Sequence, residues 1–248
     1  MRSDRKRVYL IDEIRGLSII LMVFYHAFFM LGYFFEIEFL ADAQKFFEPF
    51  QPFFACLFIF ISGISSNLSR SNFKRGIRLL GIAVGFTLVT AVILPKFGII
   101  GAEIYFGVLH LLSVSMLMYA LLKKLLSKVP TSVGVIAMLL LFLATYTVQS
   151  GKLMWYDLPR ELYDMEYLAP LGFPSYGFYS ADYFPVLPYI FMFFAGTFFG
   201  RLAEKNALPK SWYVSRCKPL SAVGKKTLII YIVHWPIIFL IGLIISRF

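Results

Sequence analysis

The histidines of this 248-residue chain, His26, His110 and His234, all lie in strongly apolar stretches. An ionisable side chain in a stretch that crosses a membrane is costly, so it usually faces the interior of the helix bundle or a water-filled cavity. A neutral imidazole near pH 7 is suited to accept a proton as a general base. Three histidines out of three therefore indicate a buried polar site suited to proton transfer.

The first apolar stretch places an arginine on the same helical face as its histidine. Arg15 and His26 are 11 residues apart, which in an α-helix is a turn of about 1,100°, close to three full turns, and a rise of about 16.5 Å. Ser18 and Met22 lie between them on that face. The spacing predicts a helix with Arg15 at its cytoplasmic mouth and His26 near mid-span.

Three further apolar stretches carry one polar stripe each at helical spacing. The stripes consist of Glu103, His110 and Ser113; of Thr227, Tyr231 and His234; and of Ser62, Ser65, Ser66 and Ser69. Together with the first stretch, these helices can enclose a polar cavity in an apolar bundle. His234 and Tyr231 are equally suited to form a hydrogen bond that only packs helices.

The composition indicates that these stretches span a membrane. Hydrophobic residues make up 59% of the chain, the mean hydropathy is +0.75, and 15% of residues are charged, against about 25% in soluble domains. Seven stretches approach the roughly 20 residues that a spanning helix needs. The predicted spans are 14–35, 50–68, 76–94, 103–122, 131–149, 183–200 and 226–246. The sequence thus predicts an all-α polytopic membrane bundle, as a single integral-membrane domain over 1–248.

The basic residues orient the predicted spans. Most of the 24 Lys and Arg residues fall in the segments that share a side with the N-terminus, namely 1–15, 69–78, 123–130 and 201–226. Because cytoplasmic loops are enriched in Lys and Arg, we expect a cytoplasmic N-terminus and an outer C-terminus. The net charge of +10 is then an orientation signal first and a contact for anionic membrane lipids second.

The two mouths of the predicted cavity differ in charge. The basic cluster at the inner mouth, where a phosphorylated ligand would bind, consists of Arg15, Arg70, Lys74, Arg75 and Arg78. The positive-inside rule alone can also explain this cluster, and it is the favoured explanation for Lys74 and Arg75. A functional role is favoured for Arg15, because it shares the helical face of His26. Glu103 and Asp182 are expected near the outer mouth.

Several partners are not expected from the residue pattern. Nucleic-acid binding is disfavoured, since there is no soluble basic domain to carry it. Cys56 lies in a span and Cys217 in a cytoplasmic segment, so no disulfide is implied. No metal site is predicted.

Two features of the chain concern packing and the outer surface. Gly81 with Gly85, and Gly196 with Gly200, are small-xxx-small pairs that predict close helix packing, and such faces leave a homodimer open. The outer segment 150–182 is rich in Trp and Tyr. It is typical of an interfacial aromatic belt, or of a cap whose rings stack on a sugar or a lipid-linked substrate.

The chain also resembles a known family. Arg15 and His26 resemble the Arg-x10-His motif of transmembrane acyltransferases, including the acyltransferase-three family. The ordered set of segments is closer to the heparan-α-glucosaminide N-acetyltransferase catalytic-domain family with its bacterial members. Those segments are IDEIRGLSIILMVFYH (11–26), FIFISGISSNLS (58–69), YFGVLHLLSVSMLMY (105–119), DYFPVLPYIFMFFAGTFFGR (182–201) and GKKTLIIYIVHWPI (224–237).

The resemblance implies a membrane-bound acyltransferase of the cell (plasma or inner) membrane. Its donor would be cytoplasmic acetyl-CoA, a co-substrate, and its acceptor a sugar or cell-envelope glycan on the outer side. Arg15 would hold the CoA end and His26 would be the base, with His110 and Glu103 positioning the acceptor or stabilising the charged imidazole. In the lysosomal branch the acetyl-carrying histidine lies in the loop after the first span. That loop here, GYFFEIEFLADAQKFFEPF, has no histidine, which favours direct transfer.

A transporter or flippase for a lipid-linked sugar or a small anion is the alternative. It would also need a polar cavity with histidine and arginine inside the membrane. The chain shows no obvious inverted repeat of the kind that is common in secondary transporters. The pattern therefore favours the acyltransferase.

Overall fold

The computed structural model describes residues 6–246, and its regular structure is almost entirely helical. The α-helices of that range are α1 (Tyr9–Phe29), α2 (Glu38–Phe47), α3 (Gln51–Leu68), α4 (Asn72–Thr87), α5 (Val108–Leu126), α6 (Thr131–Thr145), α7 (Val186–Glu204), α8 (Lys218–Gly224) and α9 (Thr227–Ile245). Two short strands, β1 (Lys152–Leu153) and β2 (Tyr156–Asp157), pair antiparallel. The predicted all-α class is confirmed.

Seven helical stretches within the described residues are long and apolar enough to cross a membrane. They are Tyr9–Phe34, Glu38–Leu68, Asn72–Phe97, Val108–Leu126, Thr131–Ser150, Val186–Glu204 and Thr227–Ile245. The first is longer than predicted because α1 already begins at Tyr9, and the third because α4 begins at Asn72 and a 3-10 turn, Leu94–Phe97, extends its end. π-helical turns, Met30–Phe34 and Leu88–Ile93, lie within the two spans. In the second, α2 and a short 3-10 turn lead directly into α3. The chain is thus a polytopic helical protein with the predicted number of spans.

The predicted start of the fourth span is wrong. The sequence placed residue 103 in the helix, but α5 begins at Val108, after Gly107 in an extended conformation. The segment before it is held by backbone contacts instead: Ala181 donates its N–H to the Glu103 carbonyl at 2.8 Å, and Phe184 donates to the Phe106 carbonyl at 3.2 Å. Glu103 therefore precedes the helix and shares no helical stripe with His110.

Contacts divide the chain into two compact units. The first consists of Met1–Ile61 and Lys205–Phe248, and the second of Ser62–Glu204. In the first unit α1 packs on α8, α9 and α2. The approach of α1 to α8 requires glycine, because a Cβ on Gly16 would overlap the Leu220 carbonyl oxygen and one on Gly224 would overlap that of Asp12.

In the second unit α6 packs on α7, α4 on α5, and α5 on α7. Close packing at Gly200, one of the predicted small-residue positions, is confirmed, since a Cβ there would lie 2.7 Å from the Asn67 amide nitrogen. The prediction for Gly81 and Gly85 is wrong for this chain. A Cβ on either would meet nothing within 4 Å among the described residues, so this face of α4 packs on no other part of them.

Candidate functional site

Two of the three histidines lie side by side in the first unit. His26 projects from α1 and His234 from α9, and their ring centroids are 5.3 Å apart. Both side chains are buried. The rings of Tyr25 and Trp235 each lie 5.8 Å from that of His26. α1 and α9 thus bring together two imidazoles that are 208 positions apart in the sequence.

The backbone fixes the orientation of His234. Its Nδ1 lies 2.6 Å from the carbonyl oxygen of Tyr231, one helical turn earlier. A carbonyl oxygen can only accept, so Nδ1 carries the proton and donates it. In the neutral ring Nε2 is then the basic nitrogen. This hydrogen bond joins His234 to the backbone of its own helix, so it is not a bond that packs two helices together.

Arg15 lies in a cluster of charged groups at the start of α1. One guanidinium nitrogen is 3.3 Å from Asp12 Oδ1 and 3.4 Å from the carbonyl oxygen of Gly224, at the end of α8. Asp12 also pairs with Arg7 at 2.8 Å. Arg15 is half-buried. Arg7 and Arg15 thus share the carboxylate of Asp12, which holds Arg15 where α1 meets α8.

Glu13 fastens the chain that leads into α8. Its Oε1 accepts hydrogen bonds from the Ser215 hydroxyl at 3.0 Å and from the backbone N–H groups of Arg216 and Cys217 at 2.8 and 2.9 Å. Such N–H groups at the start of a helix have no partner within the helix. Glu13 therefore supplies the acceptor that orders the N-terminus of α8.

His110 is held at both ring nitrogens, in the second unit. Nδ1 accepts from the Gly107 N–H at 3.2 Å, so the proton of the neutral ring is on Nε2, which lies 3.3 Å from the Thr87 hydroxyl oxygen. The Thr87 hydroxyl in turn donates a hydrogen bond to the Ile104 carbonyl oxygen at 2.8 Å. The ring also stacks on Phe106. This chain of hydrogen bonds fixes the tautomer of His110 and ties α4 to the start of α5.

Asp182 caps α5 from the far end of the outer segment. Its Oδ2 accepts from the Val108 N–H at 3.0 Å. A carboxylate at a helix N-terminus satisfies an open N–H group and interacts favourably with the helix dipole. A Cβ on Gly107 would overlap this carboxylate. Asp182 and His110 therefore accept from two successive backbone N–H groups, those of Val108 and Gly107, at the start of α5.

The predicted serine stripe is buried only in part. Ser62 and Ser66 are buried and Ser65 is half-buried, and the Ser66 hydroxyl donates to the Ser62 carbonyl at 3.1 Å. Ser69 lies beyond the end of α3. In the next stripe Ser113 donates to the His110 carbonyl at 2.7 Å. These two hydroxyls bond to their own helices.

The remaining predicted positions lie in the second unit. Arg70 and Arg78 are exposed side chains flanking the start of α4. Glu103 Oε2 accepts from the Gly101 N–H at 2.8 Å. The polar cavity enclosed by four stripes draws on residues of both units and stays a prediction.

A cavity of about 550 Å³ lies in the second unit, beneath the outer segment. Six aromatic rings line it, together with the carboxylates of Glu103 and Glu166. The Tyr179 hydroxyl donates to the Gly101 carbonyl at 3.1 Å, and burial together with the negative charge of Glu103 raises the pKa of Tyr179. The phenol therefore stays protonated as a donor. Part of the aromatic segment thus forms the wall of a cavity.

A family model described as Heparan-alpha-glucosaminide N-acetyltransferase, catalytic, matches residues 7–236. The matched range begins before α1 and ends within α9, so it includes Arg15, His26 and His234. The chain belongs to this family. No curated protein and no solved structure matches the chain.

Membership in the heparan-alpha-glucosaminide N-acetyltransferase family makes the chain a member of a family of membrane acetyltransferases, as the resemblance implied. With its seven apolar helices, the chain is a multi-pass membrane protein. Among residues 6–246 no group of three or more His, Cys, Asp or Glu side chains is placed to hold a metal ion. Cys56 and Cys217 are free thiols.

Sequence reasoning missed three side chains: Asp12, which pairs with Arg15; Glu13, which accepts hydrogen bonds from the segment that leads into α8; and Trp235, whose ring lies against that of His26. Asp12 and Glu13 lie three and two residues before Arg15 in IDEIR. Two acids at the start of an apolar span are a signal in themselves, because such charges need partners. Trp235 adjoins His234, and no pattern in the sequence places its ring against His26. That contact arises only from the packing of α1 on α9.

Proposed function

We propose that this chain transfers an acetyl group from cytoplasmic acetyl-CoA to a hydroxyl or amine of a sugar or cell-envelope glycan on the outer side of the cell membrane. The observation that carries the proposal is the buried His26–His234 pair inside a member of an acetyltransferase family. Arg15 lies on the same helix, about three turns toward the N-terminus. A base and a cation thus stand at two depths of one span.

Arg15 holds the donor. CoA carries phosphates that do not cross the apolar core, so they stay at the cytoplasmic end of α1, which the basic segments place inside. A guanidinium is suited to phosphate because its planar N–H groups can donate two hydrogen bonds at once. Arg70 and Arg78 add positive charge to segments predicted on the same side. The pantetheine arm extends along the rise of about 16.5 Å between Arg15 and His26.

His26 activates the acceptor. Its imidazole takes the proton from the acceptor O–H or N–H as the oxygen or nitrogen attacks the thioester carbonyl carbon. The tetrahedral intermediate then collapses, the carbon–sulfur bond breaks, and the proton passes from the imidazolium to the thiolate. The products are the acetylated sugar and CoA with a free thiol. Transfer is direct because the loop between α1 and α2 offers no histidine to carry the acetyl group.

The other predicted residues act around this step. His234 positions the ring of His26 through their contact, with Tyr231 fixing the tautomer of His234. His110 and Asp182 hold the first turn of α5, and we assign them, with Glu103, to the acceptor side. Ser62, Ser65 and Ser66 contribute polar groups along α3 to the path between the two sides.

The deciding experiment measures free thiol released from acetyl-CoA by the purified chain in lipid nanodiscs, with and without glucosamine-type acceptors. Acetyl-CoA binding is measured in parallel. We expect binding without an acceptor and thiol release that depends on one. A chain that neither binds nor cleaves acetyl-CoA would contradict the proposal. Binding with no release by any acceptor tried would redirect the search to the acceptor.

A further inference from the structure

The cavity beneath the outer segment is preformed. Its volume of about 550 Å³ falls in the range of small-molecule sites, about 300–1,000 Å³. The wall at Ala169 is fixed by the Tyr183 hydroxyl, which donates to the Ala169 carbonyl at 2.7 Å. The wall at Tyr105 is fixed by its N–H, which donates to the Ser180 hydroxyl at 3.2 Å. Burial raises the pKa of Tyr183, so its phenol remains a donor.

The lining is aromatic and acidic. Tyr105, Tyr167, Tyr176 and Tyr179 contribute rings, and each is at least 49% exposed. None of the described residues lining the cavity is Lys, Arg or His. Rings left uncovered around a concavity are available to a ligand, and two carboxylates can accept hydrogen bonds from it.

The same outer segment also carries exposed aromatic rings that do not line the cavity. Trp155 and Tyr156 are 71% and 66% exposed and contact each other, yet neither lines the cavity. They fit the interfacial aromatic belt that the composition also predicts. The cavity rings differ from them by enclosing a volume together with Glu103 and Glu166.

We infer that this cavity binds a sugar ring that carries hydroxyl or amine groups and no acid group, and that it excludes acidic sugars. A pyranose presents an apolar C–H face to an aromatic ring and donates hydrogen bonds from its edge. Carboxylate acceptors make such hydrogen bonds strong when the donor lies near them. A uronate or sulfate would face two like charges without a basic partner, and such repulsion provides specificity.

Other occupants fit the lining less well. A phosphate-bearing ligand would find no cation among the described lining residues to pair with. An acyl chain would take the carboxylates of Glu103 and Glu166 out of water and donate no hydrogen bond to them in return, which is unfavourable. As the acceptor subsite, the cavity rests on the proposed function, and it narrows the acceptor to a non-acidic glycan. The inference that the cavity binds a sugar depends only on the residues that line it, and not on acetyl transfer.

The test measures the binding of three disaccharides to the full chain in nanodiscs by isothermal titration calorimetry, without acetyl-CoA. Nanodiscs avoid detergents with sugar head groups. The probes are di-N-acetylchitobiose (neutral), chitobiose (amine-bearing) and a glucuronate–N-acetylglucosamine disaccharide (acidic). We expect the first two to bind at least about tenfold more tightly than the third. A tenfold ratio corresponds to about 1.4 kcal/mol, and the repulsion between one carboxylate of the probe and one of the cavity is large enough to supply it. Equal binding of the acidic probe would overturn the exclusion.

Variants locate the binding. Tyr176→Ala removes a ring that makes no other buried contact, because Tyr176 is fully exposed, and we expect about tenfold weaker binding of the neutral probe. Trp155→Ala is the matched control and should leave it unchanged. Glu166→Lys should raise affinity for the acidic probe, whereas Glu161→Lys, an exposed acid outside the cavity, should not. Equal effects of each variant and its control would place the site elsewhere.

Failure here is distinguishable from failure of the acetyl transfer. If no probe binds while the wild type releases thiol from acetyl-CoA with an acceptor, the cavity is not the acceptor subsite and the proposed function stands. If the neutral probe binds through Tyr176 and the chain never engages acetyl-CoA, the sugar site stands and the proposed function fails.

Discussion

His26 on α1 and His234 on α9 face each other with ring centroids 5.3 Å apart. The Nδ1–H of His234 donates to the Tyr231 carbonyl at 2.6 Å, so this ring is held by its own helix. His26 instead depends on its neighbours, among them the rings of Tyr25 and Trp235. If His26 is the base, as proposed, the fixed ring of His234 beside it has a positioning role, and the two histidines are then expected to have different effects when they are replaced.

Replacing His26 by glutamine should abolish most of the turnover and spare donor binding. General-base catalysis contributes roughly 10²–10⁴-fold, so we expect kcat to fall by about that factor. The measurement is acceptor-dependent thiol release beside acetyl-CoA affinity. Phe24→Leu, at an exposed position of the same helix, is the control for changes in α1. A His26→Gln protein with wild-type kcat would exclude His26 as the base.

His234→Ala should lower kcat through the loss of the ring contact with His26. We expect a smaller effect than for His26→Gln, about tenfold, with the KM values of both substrates little changed. His234→Phe keeps a ring at this position and loses the hydrogen bond to Tyr231, and it should recover part of the rate. If His234→Phe is as inactive as His26→Gln, His234 takes part in the proton transfer and is more than a positioning residue.

Arg15→Ala should weaken acetyl-CoA and leave kcat at saturating donor nearly unchanged. A hydrogen bond to a charged group contributes about 1.5–3 kcal/mol, so the donor KM should rise by roughly 10- to 100-fold. Acetyl-dephospho-CoA distinguishes contact from misfolding. If Arg15 binds the 3′-phosphate, the wild type should prefer acetyl-CoA and Arg15→Ala should lose that preference.

Arg7 offers the matched control for Arg15. Both guanidinium groups pair with Asp12, at 2.8 Å for Arg7 and 3.3 Å for Arg15, but the Arg7 side chain is 50% exposed against 18% for Arg15. Arg7→Ala should therefore disturb the Asp12 cluster without changing the donor KM. Equal rises in KM for both variants would indicate a general effect of the charge cluster.

Glu13→Ala should loosen the start of α8. Three hydrogen-bond donors, on Ser215, Arg216 and Cys217, would lose their acceptor at once. We expect a lower melting temperature in nanodiscs and faster amide exchange at Arg216 and Cys217. Glu13→Gln retains an oxygen acceptor, so its melting temperature and amide exchange should lie between those of the wild type and Glu13→Ala. Glu48→Ala, at an exposed position, should match the wild type in both. Unchanged exchange at Arg216 would show that Glu13 does not order this turn.

The sequence predicts the spans well and their ends less well. Hydropathy identifies seven segments because a run of roughly 20 apolar residues is rarely found in any structure other than a membrane-spanning helix. The ends depend on local contacts that hydropathy does not encode. α5 starts at Val108 because Asp182, 74 residues later, caps it, so Glu103 falls outside the helix in which its spacing had placed it.

For the candidate site, helical spacing predicts what one helix can align and no more. It places Arg15 and His26 on one face, but it cannot place Trp235 against His26, which needs α1 and α9 together. Nor does it show that His110 has both ring nitrogens engaged, since Thr87 belongs to α4 and Gly107 is the residue that caps the start of α5. The Gly81–Gly85 pair shows the converse limit, because a packing motif need not have a partner within the same chain.

Two glycines on neighbouring spans should respond oppositely to alanine. A Cβ on Gly63 would overlap the Phe193 carbonyl oxygen, which belongs to the backbone of α7 and cannot move aside. We expect Gly63→Ala to destabilise the protein by about 1–3 kcal/mol, as overpacking does. Gly81→Ala meets open space and removes a flexible residue from a helix, so it should be neutral or stabilise by about 0.5–1 kcal/mol. Thermal unfolding of both variants in the same nanodiscs measures the difference. If both variants lose the same stability, the face of α4 at Gly81 is covered in the membrane by something other than lipid. If both gain the same stability, α3 and α7 lie farther apart at Gly63 than the structure shows.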